Sequence, residues 1–240
     1  MPESLLALTP AELRRVQELV AALRVPVCVE VSPGSQWMTP GFVEEFTSRL
    51  LAQHIFLGSP LQQDAFDRAF MSSARHVGGD VVEAPSGQRF WDMKWNGMSL
   101  SLKTTSAKGL RKDVLHVSKL TEAAWIQDCR TATARRNKTI ELFRNYVAAV
   151  DSILQFRYFV NEGLYELVEI PCPLLLGVLT AGLADFKAEG PSINIPIGKN
   201  PPDFTLKLDR SDAKITLANI RKDRCILHAS WRLPARTQSV

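Results

Sequence analysis

Between Arg89 and Thr105 the chain reads RFWDMKWNGMSLSLKTT, two runs of alternating apolar and polar residues joined by Asn96-Gly97. An Asn-Gly pair in this setting predicts a hairpin with a type I′ turn, because that turn needs positive φ at both central residues. A two-residue loop also fixes the register. Trp95 then faces Met98, Lys94 faces Ser99, Met93 faces Leu100, Asp92 faces Ser101, Trp91 faces Leu102 and Phe90 faces Lys103. Side chains alternate faces along a strand. One face is therefore expected to carry Trp91, Met93, Trp95, Met98, Leu100 and Leu102 toward a core. The other carries Asp92, Lys94, Ser99, Ser101 and Lys103 beside Phe90.

Before the hairpin the pattern is helical. Thr9-Pro10 reads as an N-cap and N1 proline ahead of an amphipathic helix ending near Arg24. Residues 25–31 predict a short strand and Ser32 to Ser35 a turn. Thr39-Pro40 starts a second helix with Phe42, Phe46, Leu50 and Leu51 inward, and residues 61–77 predict a third. A loop with Asp80, Glu83, Pro85 and Gly87 leads into the hairpin. Beyond it, TSAKGLRKD is a basic loop and VLHV a brief strand. Ser118 is expected to cap a long helix reaching Val150, broken near Thr131–Thr133. ILQFRYFV and YELVEIP predict two strands about the turn Asn161-Glu162-Gly163, and residues 173–186 are expected to be helical. Residues 187–203, rich in Pro, Gly and Asn, predict an extended loop. FTLKLD, KITLANI and CILHASWRL predict a C-terminal antiparallel meander. The order suggests an α/β (α+β) domain with a mixed sheet flanked by helices. It spans residues 1–240, with N-terminal helices over 9–77, the core hairpin and long helix over 80–150, and C-terminal strands and loops over 151–234.

Composition narrows the class. The chain has 240 residues, 45% hydrophobic and 22% charged, as globular proteins do. No apolar run reaches the roughly 18 residues of a membrane span. The start lacks the basic and apolar segments of a signal peptide, so the expected location is cytoplasmic. The four cysteines are scattered, with no CxxC pair, which points to free thiols rather than disulfides or zinc. A net charge of +4 is mildly basic. Its distribution says more: Lys103, Lys108, Arg111, Lys112 and Lys119 form one group, and Arg130, Arg135, Arg136, Lys138 and Arg144 a second. Two such groups flanking the hairpin suggest a phosphate-facing surface. Solvated loop and helix faces are the plainer account of each group alone.

The polar face of the hairpin brings a carboxylate, hydroxyls and ammonium groups together on fixed strands. Phosphodiester hydrolysis needs a carboxylate to hold a hard divalent cation and a lysine to stabilise charge at phosphorus. Asp92 followed by Ser101-Leu102-Lys103 resembles the PD-(D/E)XK nuclease superfamily, which includes most type II restriction endonucleases. In that pattern an Asp on one strand is followed, after a turn, by (D/E)-x-K on the next. Gly41-Phe42-Val43-Glu44-Glu45-Phe46 is similar to a further element, a helix that offers a Glu to the metal site. The resemblance covers roughly residues 40–130. It departs from the pattern in two places: Trp91 precedes the Asp in place of proline, and Ser101 stands where the second acid belongs.

The resemblance implies a Mg²⁺-dependent endonuclease that cuts double-stranded DNA at a specific short sequence. Asp92 would ligate the metal and Glu45 would assist. Lys103 would stabilise charge or position water, and Ser101 would give a hydrogen bond or weak contact. Lys108, Arg111, Lys112, Arg135, Arg136 and Lys138 would hold DNA. A homodimer would match a palindromic site, and a cognate DNA methyltransferase would act on the same sequence. Either Glu45, Asp80 or Glu83 completes the metal shell in place of the acid missing at Ser101, or the site binds metal weakly, or catalysis is lost. Other readings of the same residues are a non-cleaving DNA-binding module of this fold and a repair or RNA-processing nuclease of the superfamily. The basic groups alone also allow a protein-interaction domain with solvated charges.

Overall fold

A computed structural model describes residues 8–187 and 189–234. The first residues of the chain, read above for a signal peptide, lie outside the described residues up to Ala7, as do the last six.

Three helices lead. Helix α1 (Pro10–Leu23) begins at Thr9, whose hydroxyl accepts from the Glu12 amide while Glu12 accepts from the Thr9 amide, a reciprocal capping box. After β1 (Cys28–Val31), Thr39 caps α2 (Pro40–Leu51), which runs on as a π-helical turn over Ala52–Phe56. Helix α3 spans Gln63–His76. Strands β2 (Val81–Glu83), β3 (Met93–Trp95), β4 (Met98–Thr105) and β5 (Val114–Glu122) follow. Then come α4 (Trp125–Asp128), α5 (Ala132–Ala149), β6 (Ser152–Phe159) and β7 (Leu164–Pro171). A short helix α6 (Cys172–Leu175) and two 3₁₀ turns precede β8 (Ser192–Ile197), β9 (Phe204–Asp209), β10 (Lys214–Arg221) and β11 (Ile226–Arg232).

The strands form two sheets, of seven strands in the order β1-β11-β7-β6-β4-β3-β2 and of four in the order β5-β10-β9-β8. The larger sheet is mixed: β4 and β6 run parallel and its other neighbours antiparallel. One of its faces packs on α2 and α3 through an aromatic cluster that includes Phe42, Phe46, Phe66, Phe70, Phe156 and Trp231. The opposite face covers a second core shared by α5 and the smaller sheet, with Phe143, Tyr146, Ile153, Leu206 and Leu217 among its residues. Both faces of the central strands are thus buried. Among the described residues no helix is long and apolar enough to cross a membrane, and the four cysteines are free thiols.

Several expectations are corrected, each for a local physical reason. Residues 81–83 form an edge strand on β3 rather than a loop. Ser118 lies inside β5 and caps nothing; Thr131 caps α5 instead, accepting from the Ala134 amide. A register shift in the β5–β10 pairing turns both Ser118 and Lys119 outward between buried Val117 and Leu120, and that spacing imitates a helix. Residues 173–186 form a short helix and 3₁₀ turns, not a continuous helix. Part of the predicted 187–203 loop is β8, with Ile193, Ile195 and Ile197 buried in alternation. Pro196 is tolerated there because β8 is an edge strand. The C-terminal meander also ends one strand early. β10 already has β9 on one side and β5 on the other, so β11 cannot pair with it and crosses to the larger sheet between β1 and β7.

Candidate active site

The hairpin turns at Asn96 (φ 50°) and Gly97 (φ 84°), both left-handed as a type I′ turn requires. Its register pairs Trp95 with Met98, Lys94 with Ser99 and Met93 with Leu100. There the ladder stops. The Asp92 amide donates to the Leu100 carbonyl at 2.8 Å, so the chain leaves the ladder one residue past Met93. The expected facing pairs Asp92–Ser101, Trp91–Leu102 and Phe90–Lys103 do not form. Trp91 does not join the Met93 face; with Phe90 it packs against the core beneath α5.

This early exit builds the site. It leaves the β4 edge from Leu102 to Thr105 without a strand partner, and side chains satisfy that backbone instead. Asp92 Oδ2 accepts from the Leu102 amide at 2.6 Å. Gln63, at the first turn of α3, accepts from the Thr104 amide through Oε1 at 3.0 Å and donates to the Leu102 carbonyl through Nε2 at 2.9 Å. The same Gln63 amide donates to Asp67 Oδ1 at 2.7 Å, one helical turn on. The open end of β4 is thereby ringed by two carboxylates.

Lys103 projects into the same place. Its Nζ lies 3.3 Å from Asp92 Oδ2 and donates to the Leu102 carbonyl at 2.9 Å. Ser101, fully buried, donates to Asp92 Oδ2 at 3.3 Å. A cavity of about 260 Å³ is lined by Gln63, Asp67, Asp92, Lys103, Ser118, Lys119 and Gln155, among others. A second, of about 570 Å³, opens on the other side of Lys103 and includes Arg89 and Lys119 in its wall. The two hollows form a cleft between β4 and β5 with cationic groups along it.

Burial raises the Asp67 carboxyl to about 7, with the nearby Asp92 charge pushing the same way; the Gln63 hydrogen bond and Lys103 act against the shift. A carboxyl so placed would give up its proton more readily if a further positive charge entered the cavity. The donors present, two carboxylates with amide and hydroxyl oxygens around them, are hard oxygens suited to a divalent cation such as Mg²⁺. Among the described residues, no three His, Cys, Asp or Glu side chains group to hold a metal. Neutral oxygens must therefore complete any shell around the Asp67–Asp92 pair.

Of the residues singled out in the sequence, the structure brings together Asp92, Ser101 and Lys103. It does not bring Glu45. That carboxylate pairs with Arg49 at 2.5 Å, one turn along α2, and lies 3.7 Å from the His76 ring at the facing end of α3. Glu83 is exposed and faces Arg75 at 3.9 Å. The Asp80 amide donates to Asn96 Oδ1 and its carbonyl accepts from the Asn96 amide at the hairpin turn. The cavity is also lined by Asp67, Gln63 and Gln155, which the sequence reading does not single out. Gln63 and Asp67 are four apart on a helix, hence on one face, a signal legible in LQQDAFDRAF once the third helix is placed.

The expected DNA-binding residues divide. Arg135 is buried and spends its guanidinium on the Phe186 carbonyl, at 3.1 and 2.8 Å, and on the Cys129 carbonyl. Arg136 donates to the Ala181 carbonyl at 2.9 Å. Both anchor the chain after α6; Arg135 is withdrawn from solvent, whereas Arg136 stays partly exposed in the wall of a surface hollow with Asn137 and Arg144. Arg135→Met is expected to cost about 2 kcal/mol or more of stability by stranding buried carbonyls. It should leave the salt dependence of DNA binding unchanged; thermal melts and binding titrations at several salt concentrations check both. Lys138 is exposed. Arg111 donates to Asn219 Oδ1 at 3.0 Å and Lys112 pairs with Glu162 at 2.8 Å, while Lys108 lines a small cavity with Asn161 and Glu162. Cations of the C-terminal strands are likewise engaged: Lys207 with Asp209, Lys214 with Asp212, Arg221 with Asp223, Lys222 with Glu166 and Arg224 with Asp203.

A mixed sheet flanked by helices, opened at one strand end to expose a carboxylate beside a lysine, is an arrangement suited to metal-assisted phosphodiester hydrolysis. The chain belongs to the SmaI family of type II site-specific deoxyribonucleases, which it matches over residues 2–233. Site-specific endonucleolytic hydrolysis of DNA is therefore its activity. One relative is the type II restriction enzyme SmaI of Serratia marcescens, 27% identical over 205 residues that cover 79% of this chain and 78% of that enzyme. Among solved structures, a restriction endonuclease in complex with substrate DNA aligns over 68% of this chain and 67% of its own, at 14% identity and a TM-score of 0.33.

Proposed function

We propose that this endonuclease cuts double-stranded DNA at a short specific sequence with Mg²⁺ held by Asp92 and Asp67 and with Lys103 as the cationic group at the reacting phosphate. The observation that carries this reading is the convergence of Asp92 Oδ2 and Lys103 Nζ, 3.3 Å apart, at the unpaired end of β4 with Asp67 in the same cavity. A divalent cation bound there would offset phosphate charge and lower the pKa of a water.

The protein's own groups do the rest. Asp92 is fixed by the Leu102 amide and the Ser101 hydroxyl, so its carboxylate needs no reorganisation as charge develops. Lys103 is tethered by the Leu102 carbonyl, which aims its ammonium at the cleft. Ser101 orients Asp92 and adds no negative charge. Gln63 holds Asp67 and the β4 edge together, so that strand and helix keep their spacing. Arg89, which donates to the Glu122 carbonyl, and Lys119, which pairs with the Glu122 carboxylate, lie in the wall of the larger hollow and would meet the DNA backbone after release of those partners. Lys108, Lys138, Arg111 and Lys112 remain backbone contacts to be tested, the last two after release of their present partners.

A homodimer would match a palindromic target by its own twofold axis. A cognate methyltransferase modifying the same site, and a cytoplasmic location beside the genome, complete the proposal. The test is digestion of unmethylated plasmid DNA by the purified protein in Mg²⁺ and in EDTA, beside Lys103→Ala. Discrete fragments in Mg²⁺ alone, reduced at least about a hundredfold in rate by Lys103→Ala, are expected. Cutting in EDTA, or full activity of Lys103→Ala, would overturn it.

A further inference from the structure

A residue that lines the cavity beside Asp92 has one buried polar atom left unsatisfied by the fold. Gln155 sits on β6, paired with Lys103 in the parallel β4–β6 register, and is 1% exposed. Its Nε2 donates to the His116 carbonyl of β5 at 2.7 Å. That bond settles which end of the amide is which, since an oxygen turned toward the carbonyl would be repelled. The other end, Oε1, is buried and has no hydrogen-bond partner. The remaining unpartnered buried side-chain atoms among the described residues are nitrogens or hydroxyls, so Oε1 is the one pure acceptor among them.

Leaving a buried carbonyl oxygen unpaired is costly to the fold. The cost is explained if something fills the position in the working enzyme. The cavity that Gln155 lines also holds Asp67, Asp92 and Lys103. Both carboxylates there call for a cation, and an uncharged amide oxygen is a hard ligand of the same kind. Ser101 does not serve in this way, because its hydroxyl is donated to Asp92. The adjoining strand offers an oxygen on the same side of the sheet.

We propose that Gln155 Oε1 is the third protein ligand of the divalent cation, taking over the place of the acid that is absent at position 101. The proposal rests on the Asp92–Asp67 reading above. It makes the site less negative than a three-carboxylate site would be, so the cation is held more weakly than an acid at this position would hold it.

The test is Mn²⁺ titrated into the full chain without DNA, followed by calorimetry or by the free-Mn²⁺ spin-resonance signal. The variants are Gln155→Met, Gln155→Glu and Asp92→Asn, each melted in EDTA to check folding. Asp92→Asn is expected to weaken binding at least about tenfold, and Gln155→Met about tenfold. Gln155→Glu should bind more tightly than the parent although it loses the bond to His116 and melts lower. That opposition separates a ligand from a merely structural amide. If Asp92→Asn weakens binding and Gln155→Met, still folded, does not, the Gln155 assignment is wrong and the carboxylate pair stands. If Gln155→Met does not fold, Gln155→Glu decides: affinity at or below the parent's overturns the assignment. Unchanged affinity in Asp92→Asn overturns the metal reading beneath it.

Discussion

Asp92→Ala is expected to lower the rate of DNA cleavage at least about a thousandfold and to destabilise the protein as well. The two effects share one carboxylate. Asp92 Oδ2 accepts from the Leu102 amide, the Ser101 hydroxyl and the Lys103 ammonium, which leaves Oδ1 as the oxygen offered to the cation. Truncation leaves the Leu102 amide without an acceptor at the end of a central strand, a loss of about 1–3 kcal/mol. Asp92→Asn divides the effects. Its amide oxygen can still accept from Leu102, so most of the stability should return, but its charge is gone and cleavage should stay low. Plasmid cleavage rates set beside urea or thermal unfolding of the two variants check this. Full stability in Asp92→Ala would mean that the carboxylate does not close the β4 edge. Cleavage near the parent rate in both variants would mean that the catalytic centre lies elsewhere.

Asp67→Asn and Glu45→Gln should behave oppositely. Glu45 fits the sequence pattern of a helix-borne acid, yet its carboxylate is held by Arg49 and His76. Glu45→Gln is expected to leave cleavage within about twofold and to cost at most about 1 kcal/mol, the ordinary value of a partly exposed ion pair. Asp67→Asn should reduce cleavage roughly a hundredfold or more, because it removes one of two carboxylates from the cavity.

Asp67 also gives a pH signature in metal-free protein. Its carboxyl titrates near 7 when folded, raised chiefly by burial, and near 3.9 when unfolded. Between these values the folded state holds a proton that the unfolded state has released, so stability falls as pH rises from about 4 to about 7 and is level above. Asp67→Asn should remove that decline. In EDTA it should melt higher than the parent at pH 8, with the advantage shrinking toward pH 4. Parallel melting curves at both pH values would show that Asp67 is not a strained acid, and a fully active Asp67→Asn would remove it from the site.

The local sequence determined a good deal. Asn96-Gly97 set the turn and the first three pairs of the hairpin, because positive φ at two successive positions leaves few alternatives. Thr9-Pro10 and Thr39-Pro40 set helix starts, since a side-chain cap and a proline at N1 act within one turn. Asp92, Ser101 and Lys103 are neighbours through that hairpin, so their meeting was legible. The tertiary structure decided the rest. Where the hairpin ladder stops depends on what packs on either side of Asp92, and only then does a bare strand edge exist for Gln63 and Asp92 to fill. Asp67 enters because α3 crosses that edge, 36 residues away in sequence from Lys103. Gln155 enters because β6 runs parallel to β4, a pairing that no turn specifies. Arg135 looked like a DNA contact because a row of cations on a helix does not reveal which face is buried; the carbonyls of Phe186 and Cys129 settled that. The second half of β5 and the whole of β8 hid behind a register shift and an edge proline, features whose meaning comes from the neighbouring strand. Local backbone preferences act over a few residues and can be read along the chain. The ligands of a site come from contacts across it, and those are fixed only when the layers pack.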